Sequence, residues 1–92
     1  MEFEWDPAKS DANVDKHRID FQDAVREFAD RRTRTTNVTK PEHGGPRFKA
    51  VGTVDDQIVA VIFTDRGSVR RIISARRSKI ERRDYLDEGE TP

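Results

Sequence analysis

Arginine is the residue type whose placement in this chain suggests chemistry. Five arginines fall between Arg66 and Arg77, interleaved with Val69, Ile72 and Ile73 in a run that reads as a strand. Strict alternation puts Val69, Arg71, Ile73 and Ala75 on one side and Arg70, Ile72, Ser74 and Arg76 on the other, so each face carries a guanidinium. At least one is expected to be partly buried, where its charge needs a carboxylate or a phosphate to offset desolvation. Arg47 and Lys49 alternate in the same way, so basic groups from two strands can converge on one anion. Taken singly, each arginine is equally explained by an ion pair with an acidic helix residue such as Glu27 or Asp30. As a cluster next to a helix start at Ser78, they point to phosphate. Spacing alone does not separate RNA from DNA or from another phosphate.

The remaining titratable residues add little. Lys16 and His17 close the first helix, where a cation complements the helix dipole; the sharper reading makes one of them a proton-transfer group. His43 lies in a Pro and Gly loop, and Tyr85 reads as a core or interface aromatic. There is no phosphate-cradling glycine loop, no H-E-x-x-H and no nucleophile elbow. Cysteine is absent and the two histidines lack metal-ligand spacing, so neither a metal nor a cofactor is expected.

Lys plus Arg and Asp plus Glu number 18 each, but the balance hides a partition. Residues 1–30 hold nine acids and four bases, residues 31–83 fourteen bases and five acids, and residues 84–92 four acids alone. Local potential rather than net charge steers a polyanion, and the middle of this chain is basic. The longest apolar run, Ile58 to Phe63, is too short to span a membrane and no secretory pattern opens the chain, which predicts a soluble cytoplasmic protein.

The elements that must position these residues fit one domain. Phe3 and Trp5 form a short strand or staple before Asp6, which caps a helix from Pro7 to about His17. Asp20 caps a second helix with Phe21, Ala24, Val25, Phe28 and Ala29 on its apolar face and Gln22, Asp23, Arg26, Glu27 and Asp30 on the other. A weak strand is expected near Thr35 to Val38. Three strands follow, Arg47 to Thr53, Gln57 to Thr64 and Ser68 to Ala75, as an antiparallel meander with the apolar middle strand at its centre. A capping box from Ser78 to Glu81 predicts a last helix to about Asp87. The expected class is α+β: two N-terminal helices, a small antiparallel sheet of three to four strands and one C-terminal helix.

Two blocks in order resemble a known family. Phe3-Glu4-Trp5-Asp6-Pro7-Ala8-Lys9, Asn13, Lys16-His17 and Phe21 to Phe28 look like the opening of BrnT toxins. Arg47-Phe48, Gly52, Val59 to Thr64, Arg66-Gly67 and Arg71-Ile72-Ile73-Ser74-Ala75-Arg76-Arg77 leading to Glu81-Arg82-Arg83-Tyr85 are similar to the rest. The resemblance implies a RelE-like fold, metal-free RNA cleavage that inhibits translation, and neutralisation by a BrnA-like antitoxin through which alone operator DNA is met. It implies Arg47, Arg71 and Arg76 as transition-state arginines, Lys16 and His17 as acid or base, and Lys49, Arg66, Arg70 and Arg77 as RNA contacts. The family usually has glycine after Lys-His, where this chain has Arg18. The alternative reading is a non-catalytic basic module that binds nucleic acid or a partner and acts by occupancy; an inactive relative kept for complex formation is a third.

Overall fold

The computed structural model describes residues 1–78. Asp6 opens the helix α1 (Pro7–His17), its carboxylate accepting from the Ala8 N–H at 2.9 Å. The helix ends at Arg18, whose φ of 63° and ψ of 27° are left-handed and whose N–H donates to the Val14 carbonyl at 2.9 Å. Asp20 accepts from the Asp23 N–H at 2.7 Å and starts α2 (Phe21–Ala24). Here the periodicity misleads. The α-helix gives way to a 3-10 segment, Val25–Ala29, in which residues three apart eclipse. Glu27 therefore falls in line with Ala24 and is buried with it, not on the solvent face.

The strands β1 (Glu2–Glu4), β2 (Arg34–Asn37), β3 (Phe48–Val54), β4 (Gln57–Arg66) and β5 (Val69–Arg77) form one sheet in the order β1-β5-β4-β3-β2. The expectation of a small antiparallel sheet of three to four strands is thus corrected: there are five, and the sheet is mixed, because β1 lies parallel to β5 with Glu2, Phe3 and Glu4 opposite Val69, Arg70 and Arg71. Neither edge strand advertises itself. β1 has three residues, too few to set a period, and β2 reads Arg-Thr-Thr-Asn, exposed throughout, with no apolar alternation. The helix expected from Ser78 to about Asp87 lies outside the described residues, apart from Ser78 itself.

The meander is as expected. Asp55 and Asp56, at φ 51° and 65°, make the tight β3–β4 turn that two left-handed residues allow. Apolar β4 is central, and one sheet face packs Ala50, Val54, Val59, Val61, Phe63, Ile72 and Ala75 against Ile19, Phe21 and Ala24. Phe3 stacks on Phe28 at 5.4 Å between centroids, Phe28 meets Phe63 edge-on at 5.7 Å, and Trp5 meets Phe21 edge-on at 6.4 Å. A Cβ on Gly52 would collide with Thr33 Oγ1 and stand 3.2 Å from the Glu27 carbonyl oxygen, so glycine lets the 3-10 segment close onto β3.

The β5 edge is covered in two parts. β1 pairs with it as far as Arg71. Further along, buried Asn13 acts as a surrogate strand: its Nδ2 donates to the Ala75 carbonyl at 2.8 Å and to the Ile19 carbonyl at 2.7 Å, while its Oδ1 accepts from the Ala75 N–H at 3.3 Å.

Two outcomes follow for stability. Arg18→Gly relieves a left-handed side-chain residue and should stabilise the protein by about 0.5–1 kcal/mol in a urea titration. Glu27 is the second. Burial, aided by nearby Asp30 and opposed in part by the Gly52 amide, pushes its carboxyl from 4.5 up to about 9. The folded state thus keeps a proton that the unfolded chain releases, so this contribution is complete below pH 4.5 and is lost on the way up to about pH 9. The loss should be about 1.4 kcal/mol per pH unit, and Glu27→Gln should flatten it in melts recorded from pH 5 to 9.

Candidate active site

Strict alternation fails on β5. Ile62 on β4 is opposite Ser74 and Phe63 is opposite Ile72, which leaves Ile73 as an extra residue in a bulge. Ile72 and Ala75, of opposite parity, are accordingly both buried in the same core. The parity change carries the arginines with it. Arg71 pairs with Thr64, and Arg76 pairs with Ala60, so both now belong to the sheet face opposite the helices. Without the bulge they would point to opposite sides.

The register extends this face across the sheet. One row runs Arg34, Val51, Ala60, Arg76; the next runs Thr36, Lys49, Ile62, Ser74; a third holds Thr64, Arg71 and Glu4. Arg66, opposite Val69, lies on the same face at the turn end. Lys49, Arg66, Arg71 and Arg76 are therefore brought together on one side, joined by Arg34, which the sequence reading passed over. Its signal was weak: Arg34 becomes part of the pattern only when β2 starts one residue before Thr35 and aligns Thr36 with Lys49.

The other candidate residues are placed elsewhere. Arg70 lies on the helix side, its guanidinium carbon 4.0 Å from the Phe63 ring centroid and 4.9 Å from that of Phe28. It is held there by two hydrogen bonds to Asp65, at 2.8 and 3.0 Å. Arg77 donates through Nη1 to the Arg18 carbonyl, which ties the end of β5 to the end of α1. Lys16 and His17 sit in that last turn of α1. Arg47, just before β3, donates to the carbonyls of Pro46 at 3.0 Å and His43 at 3.3 Å.

Arg71 and Glu4 make a charged contact on the open face, with Nη1 donating to Oε2 at 2.8 Å. Both side chains keep access to solvent, at 35% and 42% of their full exposure. Among the described residues, no group of three or more His, Cys, Asp or Glu is placed to hold a metal ion, and no helix is long and apolar enough to cross a membrane. The face offers cationic donors on the sheet, the Glu4 carboxylate paired with one of them, and an apolar floor of Val51 and Ala60.

Residues 5–81 match the model of a family described as the ribonuclease toxin, BrnT, of type II toxin–antitoxin systems. The chain belongs to this family. A search of curated proteins gives no match. Membership makes the chain a ribonuclease toxin with an antitoxin partner, and the BrnT span contains every strand cation named above. For this BrnT toxin, Arg70→Ala removes a guanidinium held by two rings and a carboxylate, and should lower folding stability by about 1–3 kcal/mol in chemical denaturation.

Proposed function

We propose that this BrnT toxin is a metal-independent endoribonuclease that cuts RNA by attack of a ribose 2′-OH on the adjacent phosphate. The cleavage inhibits translation, and a BrnA-like antitoxin neutralises it; operator DNA is met only through that antitoxin. The observation that carries this reading is the bulge at Ile73, which gathers Arg71 and Arg76 on one face with Lys49. In-line attack builds extra negative charge on the non-bridging phosphate oxygens. Cations fixed on strands stabilise that charge without the reorganisation that water requires.

The spacing supports the reading. Two inter-strand spacings, about 10 Å, separate Lys49 on β3 from β5, and about 13 Å of strand separates Arg71 from Arg76. Side chains of this length converge from such positions on one phosphate or on two consecutive ones. Arg71 and Arg76 are assigned to the transition state with Arg47 at the margin, and Lys49 and Arg66 to the RNA backbone. Arg77, on the core-facing side of β5, and Lys16 and His17, in the last turn of α1, stand apart from this cluster and are given no part in the reaction. Arg70 belongs to the wall that supports the strand. An antitoxin carrying acidic segments would cover the same face and compete directly with RNA.

The full chain, freed of antitoxin, should cleave single-stranded RNA in the presence of EDTA and leave 2′,3′-cyclic phosphate ends. Arg71→Ala and Arg76→Ala should each slow cleavage by about tenfold to a thousandfold without loss of the folded circular-dichroism signal. RNA that stays intact at high protein concentration, while binding in a salt-sensitive manner, would overturn the nuclease and leave a module acting by occupancy.

A further inference from the structure

A metal-free attack by a 2′-OH needs a group to take its proton, and the cations of the open face are poor candidates for that task. We propose that Glu4 is the general base; this assignment rests on the ribonuclease reading and names a catalytic residue within it. Glu4 lies one residue before the span that matches the family model.

The argument is one of placement. Among the described residues, six other carboxylates are committed. Asp6 and Asp20 cap helices, Asp30 accepts from the Thr53 N–H and hydroxyl, Asp55 is bound by Arg26 and Asp65 by Arg70. Glu27 is sealed in the core and keeps its proton. On the strands, Glu2 and Glu4 lie on the open face, and of the two only Glu4 is bonded to a cation there. The parallel register sets Glu4 directly opposite Arg71, so neighbouring strands present a base and a phosphate-binding guanidinium side by side.

The contact uses one oxygen of Glu4 and one nitrogen of Arg71. Among the described residues, Oε1 of Glu4 and Nη2 of Arg71 make no other hydrogen bond. A phosphate taken by the remaining guanidinium N–H groups brings its neighbouring ribose to the carboxylate. Glu4 then removes the 2′-OH proton, the 2′ oxygen forms its bond to phosphorus, and the bond from phosphorus to the 5′ oxygen breaks. The 5′ oxygen takes a proton from water and Glu4 returns its own to solvent. The products are a 2′,3′-cyclic phosphate and a 5′-OH, with no net proton consumed.

The test is single-turnover cleavage of a defined single-stranded RNA oligonucleotide by the full chain and by Glu4→Gln, Glu4→Ala and Glu4→Asp. Glutamine keeps an oxygen for Arg71 but is no base. If Glu4 is the base, Gln and Ala should both slow cleavage by about 100-fold or more, and Asp by less. Binding of a 2′-deoxy version of the oligonucleotide should change by less than about threefold. Added formate, a small carboxylate, should recover part of the Glu4→Ala rate and none of an Arg71→Ala loss. Wild-type cleavage by Glu4→Gln, or a loss in Glu4→Ala that formate does not touch while Glu4→Asp is equally impaired, would reduce Glu4 to a positioning partner of Arg71 and overturn the assignment. Intact RNA with the wild-type chain is a different failure, since it removes the ribonuclease reading itself and the base with it.

Discussion

Ile72 and Ala75 must both reach the core between the sheet and the helices, yet a strand turns successive side chains to opposite faces and these two have opposite parity. The chain meets that constraint by inserting Ile73 as a bulge, which restores core packing for the second half of β5. The polar residues beyond the bulge are re-aimed by the same step. Arg76 joins Arg71 on the open face, whereas Arg70 stays behind with Phe28 and Phe63, so an apolar packing requirement at two residues decides which guanidiniums act together.

That strand is held in place by unusual means. Its outer edge has a regular partner only at Val69 to Arg71, and beyond that point a buried asparagine from α1 supplies the hydrogen bonds that a neighbouring strand would otherwise make at Ala75. Arg77 adds an anchor to the end of the same helix. The first helix thus serves as a brace along β5 rather than as a source of site residues, and β1 places Glu4 against Arg71. On the opposite layer, the 3-10 segment carries a carboxylic acid into the core at Glu27, where burial keeps the proton on it.

Much of this organisation is legible in the residues themselves. Asp6-Pro7 and Asp20 announce their helices, the Asp-Asp and Asp-Arg-Gly turns delimit the meander, and the doubly apolar β4 locates the sheet centre. Other features leave a faint trace or none: short strands are expected at Phe3 and near Thr35, but not their places in the sheet. A three-residue strand has no period to detect, a strand reading Arg-Thr-Thr-Asn has no apolar member, and the shift from α to 3-10 geometry after Ala24 has no signal in the apolar spacing. The bulge was hidden for a different reason: Val-Arg-Arg-Ile-Ile-Ser-Ala-Arg-Arg fits either register by pattern, and only the shape of the core chooses between them. The basic cluster could therefore be read from sequence, but its division between two faces could not.

The parallel pairing of β1 with β5 joins residues at opposite extremes of the fold: Glu4 and Arg71 are 67 positions apart. Contacts of such separation form only after the intervening chain has been made and ordered, because loop closure must precede the pairing that rewards it. A partly synthesised chain, with β3 and β4 already paired, therefore has no carboxylate beside its guanidinium. The open face is completed only when β5 docks beside β1 and brings Arg71 to Glu4.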